Sequence, residues 1–388
     1  MKLNRLLTLI ATLMAFAISA RADLASILTN VQNTASDKSP RPSVIVIQYH
    51  ELAQGDLSCY GQTNYETPNF DRLARSGIRF TDYTGAGESA WTIATLLNGK
   101  STASQPDEAN LAQRLKAAGY HTGLIGEWSQ PGQPWKRGFD EFVGFLEDVE
   151  GRNYYADYVW RYAPRAIYQG QSTQPKAFEG KEMIYPNTGG KKKQFLPETF
   201  ISAVINFARI NQPDLVNHYQ PFFLLVNLPA PRSAKAGADE FPVPTDAPFT
   251  GESWPQAAKN RAALITRLDT DVGRLLEQLD KLKLTNNIAV FITSSSAPEK
   301  FADTNLDFLL PPQDFRSTKN PAPPLPMIVW WPGEISPGQV SGAAWSATNF
   351  APTAWEMARQ PAAADFTGQS ILPTLLRQRG EKRDGQKN

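Results

Sequence analysis

The sequence predicts an α/β protein, with helices packed on both faces of a sheet. Short apolar runs rich in β-branched residues recur along the chain, and segments with helical periodicity fall between them. No internal repeat interrupts that alternation. Strands that alternate with helices build layered α/β sheets. Ligands of such sheets bind beyond the carboxyl ends of the strands, so the residues just after each strand are the candidates for function.

The chain opens with Lys2 and Arg5, an apolar run over residues 6–20, and Ala20-Arg21-Ala22. A basic start, an apolar stretch and a small-x-small end mark residues 1–22 as an export signal. The apolar run is about 15 residues, short of the roughly 20 that a membrane span needs. No later stretch is long and apolar enough to span, so no membrane span is expected after signal cleavage. No cysteine stands directly after the run, which argues against a lipoprotein. The protein is therefore expected in a periplasm or outside the cell. Residues 23–41 are polar and read as a leader.

Residues 43–48, Ser-Val-Ile-Val-Ile-Gln, read as a buried strand. Thr67-Pro68-Asn69 caps a helix that Gly77 ends. Residues 78–83 make the next strand. The turn Gly85-Ala-Gly-Glu88 leads into a helix over 89–97. A helix over 108–118 stops at Gly119, and a strand follows over 121–125. Residues 146–195 lack periodicity and hold Tyr154, Tyr155, Tyr158, Trp160 and Tyr162. They read as a long surface excursion. Residues 154–162 read as loop packing rather than a carbohydrate platform, and Gly189-Gly-Lys-Lys-Lys193 as a solvated loop. Regular pattern returns with a helix over 200–210 and a strand over 222–228. A long amphipathic helix over 257–284 aligns Leu264, Leu268, Val272, Leu275 and Leu279. Strands over 288–293 and 326–331 and helices over 351–357 and 371–376 complete a domain spanning 42–378. Residues 379–388 form a polar tail.

The charge balance excludes one large class. The chain has 39 Lys and Arg against 38 Asp and Glu, and removing residues 1–22, with three basic and no acidic residues, leaves a net charge of −2. Nucleic-acid-binding proteins carry a basic footprint that this chain lacks. A hydrophobic content of 41% with 9 Trp excludes a disordered chain. The single cysteine, Cys59, excludes a disulfide framework, and three histidines (His50, His121, His218) leave little for a His-rich zinc centre.

The strand ends carry His50-Glu51, Ser89 after the glycine-rich turn, Gly126-Glu-Trp-Ser129, Pro229-Ala-Pro-Arg232 and Ser294-Ser-Ser296. The flanking motifs are specific. Gly55-Asp-Leu-Ser-Cys-Tyr-Gly61, Thr67-Pro-Asn-Phe-Asp-Arg-Leu-Ala74, Gly77-Ile-Arg-Phe-Thr81, Gly119-Tyr-His-Thr122 and Gly138-Phe-Asp-Glu-Phe142 occur in order. Leu268-Asp269, Val272-Gly-Arg-Leu-Leu276, Val290-Phe-Ile-Thr-Ser294, Trp331-Pro-Gly333, Ala351-Pro-Thr353 and Gly368-Gln-Ser370 follow. With these motifs the chain resembles the sulfatase family of the alkaline-phosphatase-like superfamily over almost its whole mature length. The resemblance implies a mixed, largely parallel sheet between helical layers. It also implies a small C-terminal subdomain with a short antiparallel sheet, which the segment after Gly368-Gln-Ser370 leaves reduced or absent.

The resemblance further implies where chemistry would sit. The family holds calcium, a cation that takes oxygen ligands, with an Asp-Asp pair after the first strand and an Asp-Asn pair after a later one. Counted from Gly55-Asp56 and from Phe291-Ile-Thr293, these positions are His50-Glu51 and Ser295-Ser296. The family nucleophile is a formylglycine in C/S-x-P-x-R. Counted back from Leu96-Leu-Asn-Gly-Lys100, the motif falls on Ser89-Ala-Trp-Thr-Ile93, with the serine but neither the proline nor the arginine. The family G-K-W-H reads Gly126-Glu-Trp-Ser129, and the histidine of its P-H falls on Arg232.

One carboxylate, Glu51, survives at a ligand position. His50 suits zinc better than calcium, but His50, Glu51 and Ser89 make a poor zinc set. No cofactor is therefore expected. Without a cation, an anionic ester would meet Glu51, Glu88 and Glu127, and like charges repel it. Arg232 and the helix start at Ser89 alone favour an anion. Glu127 and Arg232 are expected to pair across the pocket. Each residue also has a plain role: Ser89 as a helix cap, His50-Glu51 as a polar pair at a strand end, and Ser295-Ser296 as a cap. The expectation is an exported sulfatase-family protein of ancestral sulfuric ester hydrolase activity that is catalytically degenerate. It would bind an anionic ester, a glycan or a partner enzyme. The alternative is an active sulfate or phosphate ester hydrolase or transferase, with Ser89 as nucleophile and calcium or zinc at His50 and Glu51.

Overall fold

The computed structural model describes residues 41–85, 89–100, 108–147, 153–163, 178–232, 241–298 and 325–376, with the side chains of 89–92 excepted. The expected export signal (residues 1–22), residues 23–40 of the expected leader, Glu88 and the expected polar tail (379–388) lie outside the described residues. No described helix is long and apolar enough to cross a membrane.

Twelve strands follow in chain order: β1 (Ser43–Tyr49), β2 (Ile78–Phe80), β3 (Tyr83–Thr84), β4 (His121–Glu127), β5 (Glu141–Phe145), β6 (Tyr158–Ala163), β7 (Phe178–Met183), β8 (Phe222–Leu228), β9 (Ile288–Ser294), β10 (Met327–Trp330), β11 (Gln339–Ser341) and β12 (Trp345–Ser346). The helices are α1 (Pro68–Ser76), α2 (Ser89–Asn98), α3 (Leu111–Ala117), α4 (Leu196–Ile210), α5 (Gln256–Lys281), α6 (Phe350–Met357) and α7 (Leu372–Leu376).

Among the described strands, ten form one sheet in the order β11-β2-β10-β9-β1-β8-β4-β5-β6-β7. The middle five, β9-β1-β8-β4-β5, run parallel. Strands β10, β6 and β7 pair antiparallel with their inner neighbours. The sheet is thus mixed and largely parallel. Every residue of β1, β4, β8 and β9 is buried, because helices cover both faces of a parallel sheet. One face packs Ile45, Ile47 and Val226 against Phe70 of α1, Phe200 of α4 and Leu268 of α5. The other packs Val44, Val46 and Phe223 against Leu96 of α2, Leu115 of α3 and Ala354 of α6. A separate pair joins β3 to β12. Among the described residues no strand follows Ser346.

The structure departs from the sequence reading in three places. Residues 146–195 contain β6 and β7, which extend the sheet. In β6 the aromatics Tyr158, Trp160 and Tyr162 alternate with Val159, Arg161 and Ala163, and β7 is mostly polar and exposed, so no apolar run marks either strand. Residues 78–83 split into β2 and β3, which serve different sheets. Thr67 makes no side-chain cap to α1. Its hydroxyl instead accepts from the Ser58 amide at 2.9 Å. Asp269 of α5 replaces it, accepting from the Asn69 and Phe70 amides at 2.9 Å each.

Candidate functional site

Three parallel strand ends converge on one small volume. Strand β1 delivers His50 and Glu51, β8 delivers Asn227 and the turn to Arg232, and β4 delivers Glu127. Gly126 makes the approach of β4 possible. Its φ is +106°, and a Cβ there would lie 2.0 Å from the Asn227 carbonyl oxygen. Only glycine tolerates both conditions.

The turn after β1 is held from below. Glu51 adopts a left-handed φ of +63°, which disfavours side chains with a Cβ. Its carbonyl accepts from Arg261 Nη2 at 2.7 Å. Asp56 clamps that arginine, with Nε to Oδ1 at 3.1 Å and Nη2 to Oδ2 at 2.7 Å. Asp56 Oδ2 also accepts from the Ala53 amide at 2.8 Å. The aspartate of the Gly55-Asp-Leu motif thus locks the loop behind the site to α5.

The site itself is a chain of charge and hydrogen bonds. Arg232 Nη2 donates to Glu127 Oε2 at 3.1 Å, so the pairing expected from the sequence is present. Arg232 Nη1 lies 3.4 Å from His50 Nδ1. His50 Nε2 lies 3.2 Å from Asn227 Oδ1, and Asn227 Nδ2 donates to the Glu127 carbonyl at 2.9 Å. That last bond orients the amide so that its oxygen faces His50. Nε2 must then carry the proton, and Nδ1 offers its lone pair to the guanidinium. These two contacts suit a ring with its proton on Nε2 and its lone pair on Nδ1. Tyr154 fixes the arginine from outside, its hydroxyl donating to the Arg232 carbonyl at 2.7 Å. Burial pushes the Tyr154 phenol well above its ordinary value, which keeps it a neutral donor. Glu127, His50, Glu51 and Arg232 are between 0% and 3% exposed.

The remaining predicted residues lie around this core. Ser295 donates its amide to the Tyr49 carbonyl at 2.8 Å. The Ser296 carbonyl accepts from Ser294 Oγ at 2.9 Å. The Ser129 hydroxyl is buried and has no hydrogen-bond partner among the described residues. Ser89 begins α2, and its side chain lies outside the described residues.

Sequence reasoning missed Asn227, Tyr154, the Asp56–Arg261 clamp and Gln48. In register across three strands, Gln48 stands between Asn227 and Thr293. Its side-chain amide is buried, with neither atom hydrogen-bonded among the described residues. The available signal for Asn227 and Gln48 was a single polar residue at the carboxyl end of an apolar strand.

His50, Glu51, Ser295 and Ser296, which the motif resemblance puts at the family's ligand positions, are by their chemistry a poor set for a divalent cation. Calcium takes six to eight oxygens, several of them carboxylate. Here one carboxylate, one imidazole and two neutral serines occupy those positions. The His50 lone pair that could bind zinc faces a guanidinium at 3.4 Å. A second cation placed there would meet the arginine's charge. Among the described residues no group of three or more His, Cys, Asp or Glu could hold a metal.

A largely parallel sheet between helical layers, with its polar residues gathered beyond the carboxyl ends of the central strands, defines an alkaline-phosphatase-like fold. The sulfatase family model matches residues 42–359, and the chain belongs to the sulfatase family. It is 27% identical to the N-acetylgalactosamine-6-sulfatase of Homo sapiens over 89% of this chain and 68% of that protein. It is 27% identical to the N-acetylgalactosamine-6-O-sulfatase of Bacteroides thetaiotaomicron over 89% of this chain and 78% of that one. The chain thus spans about two thirds of the length of the human relative. Among solved structures, Ps i-CgsB in complex with k-i-k-neocarrahexaose matches with a TM-score of 0.65 and 23% identity, covering 87% of this chain and 76% of that one. The PsFucS1 sulfatase from Pseudoalteromonas sp. matches with a TM-score of 0.67 and 20% identity, covering 90% and 74%.

Proposed function

We propose that this protein is an exported, catalytically degenerate sulfatase-family member that acts by binding a sulfated or otherwise anionic ligand, a glycan or a partner enzyme. One observation carries the reading. Glu127, Arg232, His50 and Asn227 form one buried hydrogen-bonded chain at the strand ends, and the motif resemblance would put a sulfatase's cation and proton-transfer groups at these positions. A transition state that gathers negative charge needs preorganised positive groups aimed at it. Here the one positive side chain of the buried chain is spent on Glu127 and His50. The export signal supports a periplasmic or secreted location, and no cofactor is required.

The second reading is an active sulfate or phosphate ester hydrolase. The similarity to N-acetylgalactosamine-6-sulfatases and the start of α2 at Ser89 favour it. It needs Ser89 as nucleophile and a calcium or zinc ion at His50 and Glu51. Turnover of 4-nitrophenyl sulfate and 4-nitrophenyl phosphate by the full chain, with and without added calcium and zinc, separates the two. The degenerate reading expects no turnover above buffer. Turnover that Ser89→Ala abolishes would overturn it.

A further inference from the structure

A binding role with the strand-end site filled by its own charges, as proposed above, requires a ligand surface elsewhere. The far edge of the sheet supplies one. Trp160 of β6 stands directly opposite Lys181 of β7, and Tyr158 opposite Met183. The Lys181 ammonium sits 3.8 Å from the centre of the Tyr158 ring and 5.5 Å from that of Trp160. Beyond Met183 the chain folds back along residues 154–157. The Ile184 amide donates to the Asp157 carbonyl at 2.7 Å. Asn187, itself buried, then clamps the following loop. Its amide nitrogen donates to the carbonyls of Ala156 and Gln194 at 3.0 and 2.8 Å. Its amide oxygen accepts from the amides of Lys193 and Gln194 at 3.0 and 2.8 Å.

This clamp gives the lysine run a fixed shape, where the sequence suggested only a solvated loop. Lys191, Lys192 and Lys193 are exposed, and Lys192 stands over the Tyr155 ring at 5.9 Å. Tyr185, between Lys181 and the lysine run in sequence, is 75% exposed. Segments 154–158 and 181–193 together carry four lysines and two acids, Asp157 and Glu182. Arg161 already holds Glu182 at 3.0 Å. Glu179 lies at the other end of the hairpin, opposite Tyr162. The result is a local positive excess on a nearly neutral chain, with two of the four ammonium groups standing over aromatic rings.

We propose that the surface of Tyr155, Tyr185, Lys181, Lys191, Lys192 and Lys193 binds an anionic polysaccharide. The ammonium groups would pair with sulfate or carboxylate substituents, and the exposed ring of Tyr185 would stack on the C–H face of a sugar. A nucleic acid suits it less well, because a duplex carries one charge per about 1.7 Å of axis and recruits a broad basic face. Here one lysine, Lys181, and one run, Lys191–Lys193, carry the charge, with Lys181 and Lys192 standing over rings, which matches a sparsely charged sugar chain.

The test is a titration of the full chain with fluorescently labelled chondroitin sulfate. Neutral dextran and a duplex DNA serve as competitors, and Lys191→Ser/Lys193→Ser and Tyr185→Ala as variants. All three positions are exposed, so thermal midpoints should stay at the parent value. The expected result is saturable binding that weakens with salt, an affinity lower by about tenfold in the lysine variant and about fivefold in Tyr185→Ala, and no competition by dextran. No binding by the parent chain, unchanged affinity in both variants, or duplex DNA competing as well as unlabelled chondroitin sulfate would each overturn the assignment. Aryl sulfate turnover on the same samples separates this from the strand-end reading. Turnover together with the variant losses would remove the degenerate reading and keep this surface. No turnover with unchanged affinity would do the reverse.

Discussion

Replacing Arg232 with methionine isolates the interaction on which the strand-end account turns. Methionine keeps much of the arginine stem and removes the guanidinium. Glu127, which is 0% exposed, then loses the counter-charge 3.1 Å away. At an effective dielectric constant near 20, charges at that separation attract by about 5 kcal/mol, and removing one partner of a buried pair costs ~3–5 kcal/mol. His50 Nδ1 also loses its donor. We expect Arg232→Met to lower stability by about 3–5 kcal/mol, and Glu127→Leu alone by a similar amount, because each removes one partner of a buried ion pair and leaves the other charge in place. The double variant strands neither. It should cost at least about 2 kcal/mol less than the sum of the singles. Urea unfolding followed by tryptophan fluorescence measures all four proteins, and unchanged slopes validate the comparison of midpoints. A loss below about 1 kcal/mol in Arg232→Met, or strict additivity in the cycle, would show that the pair does not bind these strand ends together.

Three further outcomes follow from other parts of the structure. Burial raises the Asp271 carboxyl from its ordinary 3.8 to about 6, against the opposing pull of Arg274. A raised folded-state value means stability that is complete below about pH 4 and is lost as pH rises through about 6. Asp271→Asn should therefore gain roughly 1–3 kcal/mol at pH 7 and little at pH 4; an equal effect at both pH values would contradict this. Gln48→Leu removes a buried amide with no hydrogen bond among the described residues and should raise stability by about 1 kcal/mol; a lowered melting temperature would mean that the amide holds a partner. Gly126→Ala forces a Cβ to within 2.0 Å of the Asn227 carbonyl at a φ of +106°, and should cost more than about 3 kcal/mol; a melting temperature within 1–2 °C of the parent, small for a domain of this size, would show that β4 and β8 can separate there.

How much of this was legible in the sequence depended on burial. Strands β1, β8 and β9 are covered on both faces and read as nearly continuous apolar runs, so their positions and the places to inspect after them were evident. Strand β7 is the sheet's edge and is mostly exposed, and β6 beside it is only partly buried, so neither shows the apolar run of a core strand and both passed for irregular loop. The Glu127–Arg232 pair was legible because a charge reversal at one strand end met a new cation at another. Asn227 was not, although it sets the orientation of His50. A lone asparagine inside an apolar strand looks like an imperfection until its neighbours are known. The Asp56–Arg261 clamp joins residues 205 apart in sequence, and no local pattern announces such a contact.

The most direct measurement is the metal content of the full chain purified from its native compartment without chelator or metal-affinity resin, followed by calorimetric titration with calcium and with zinc. With the Arg232 guanidinium donating to both Glu127 and His50, the account predicts far less than one metal ion per chain and no saturable heat with either ion. Near-stoichiometric calcium or zinc, or a saturable heat that Arg232→Met leaves unchanged, would contradict it and return the strand ends to ester hydrolysis.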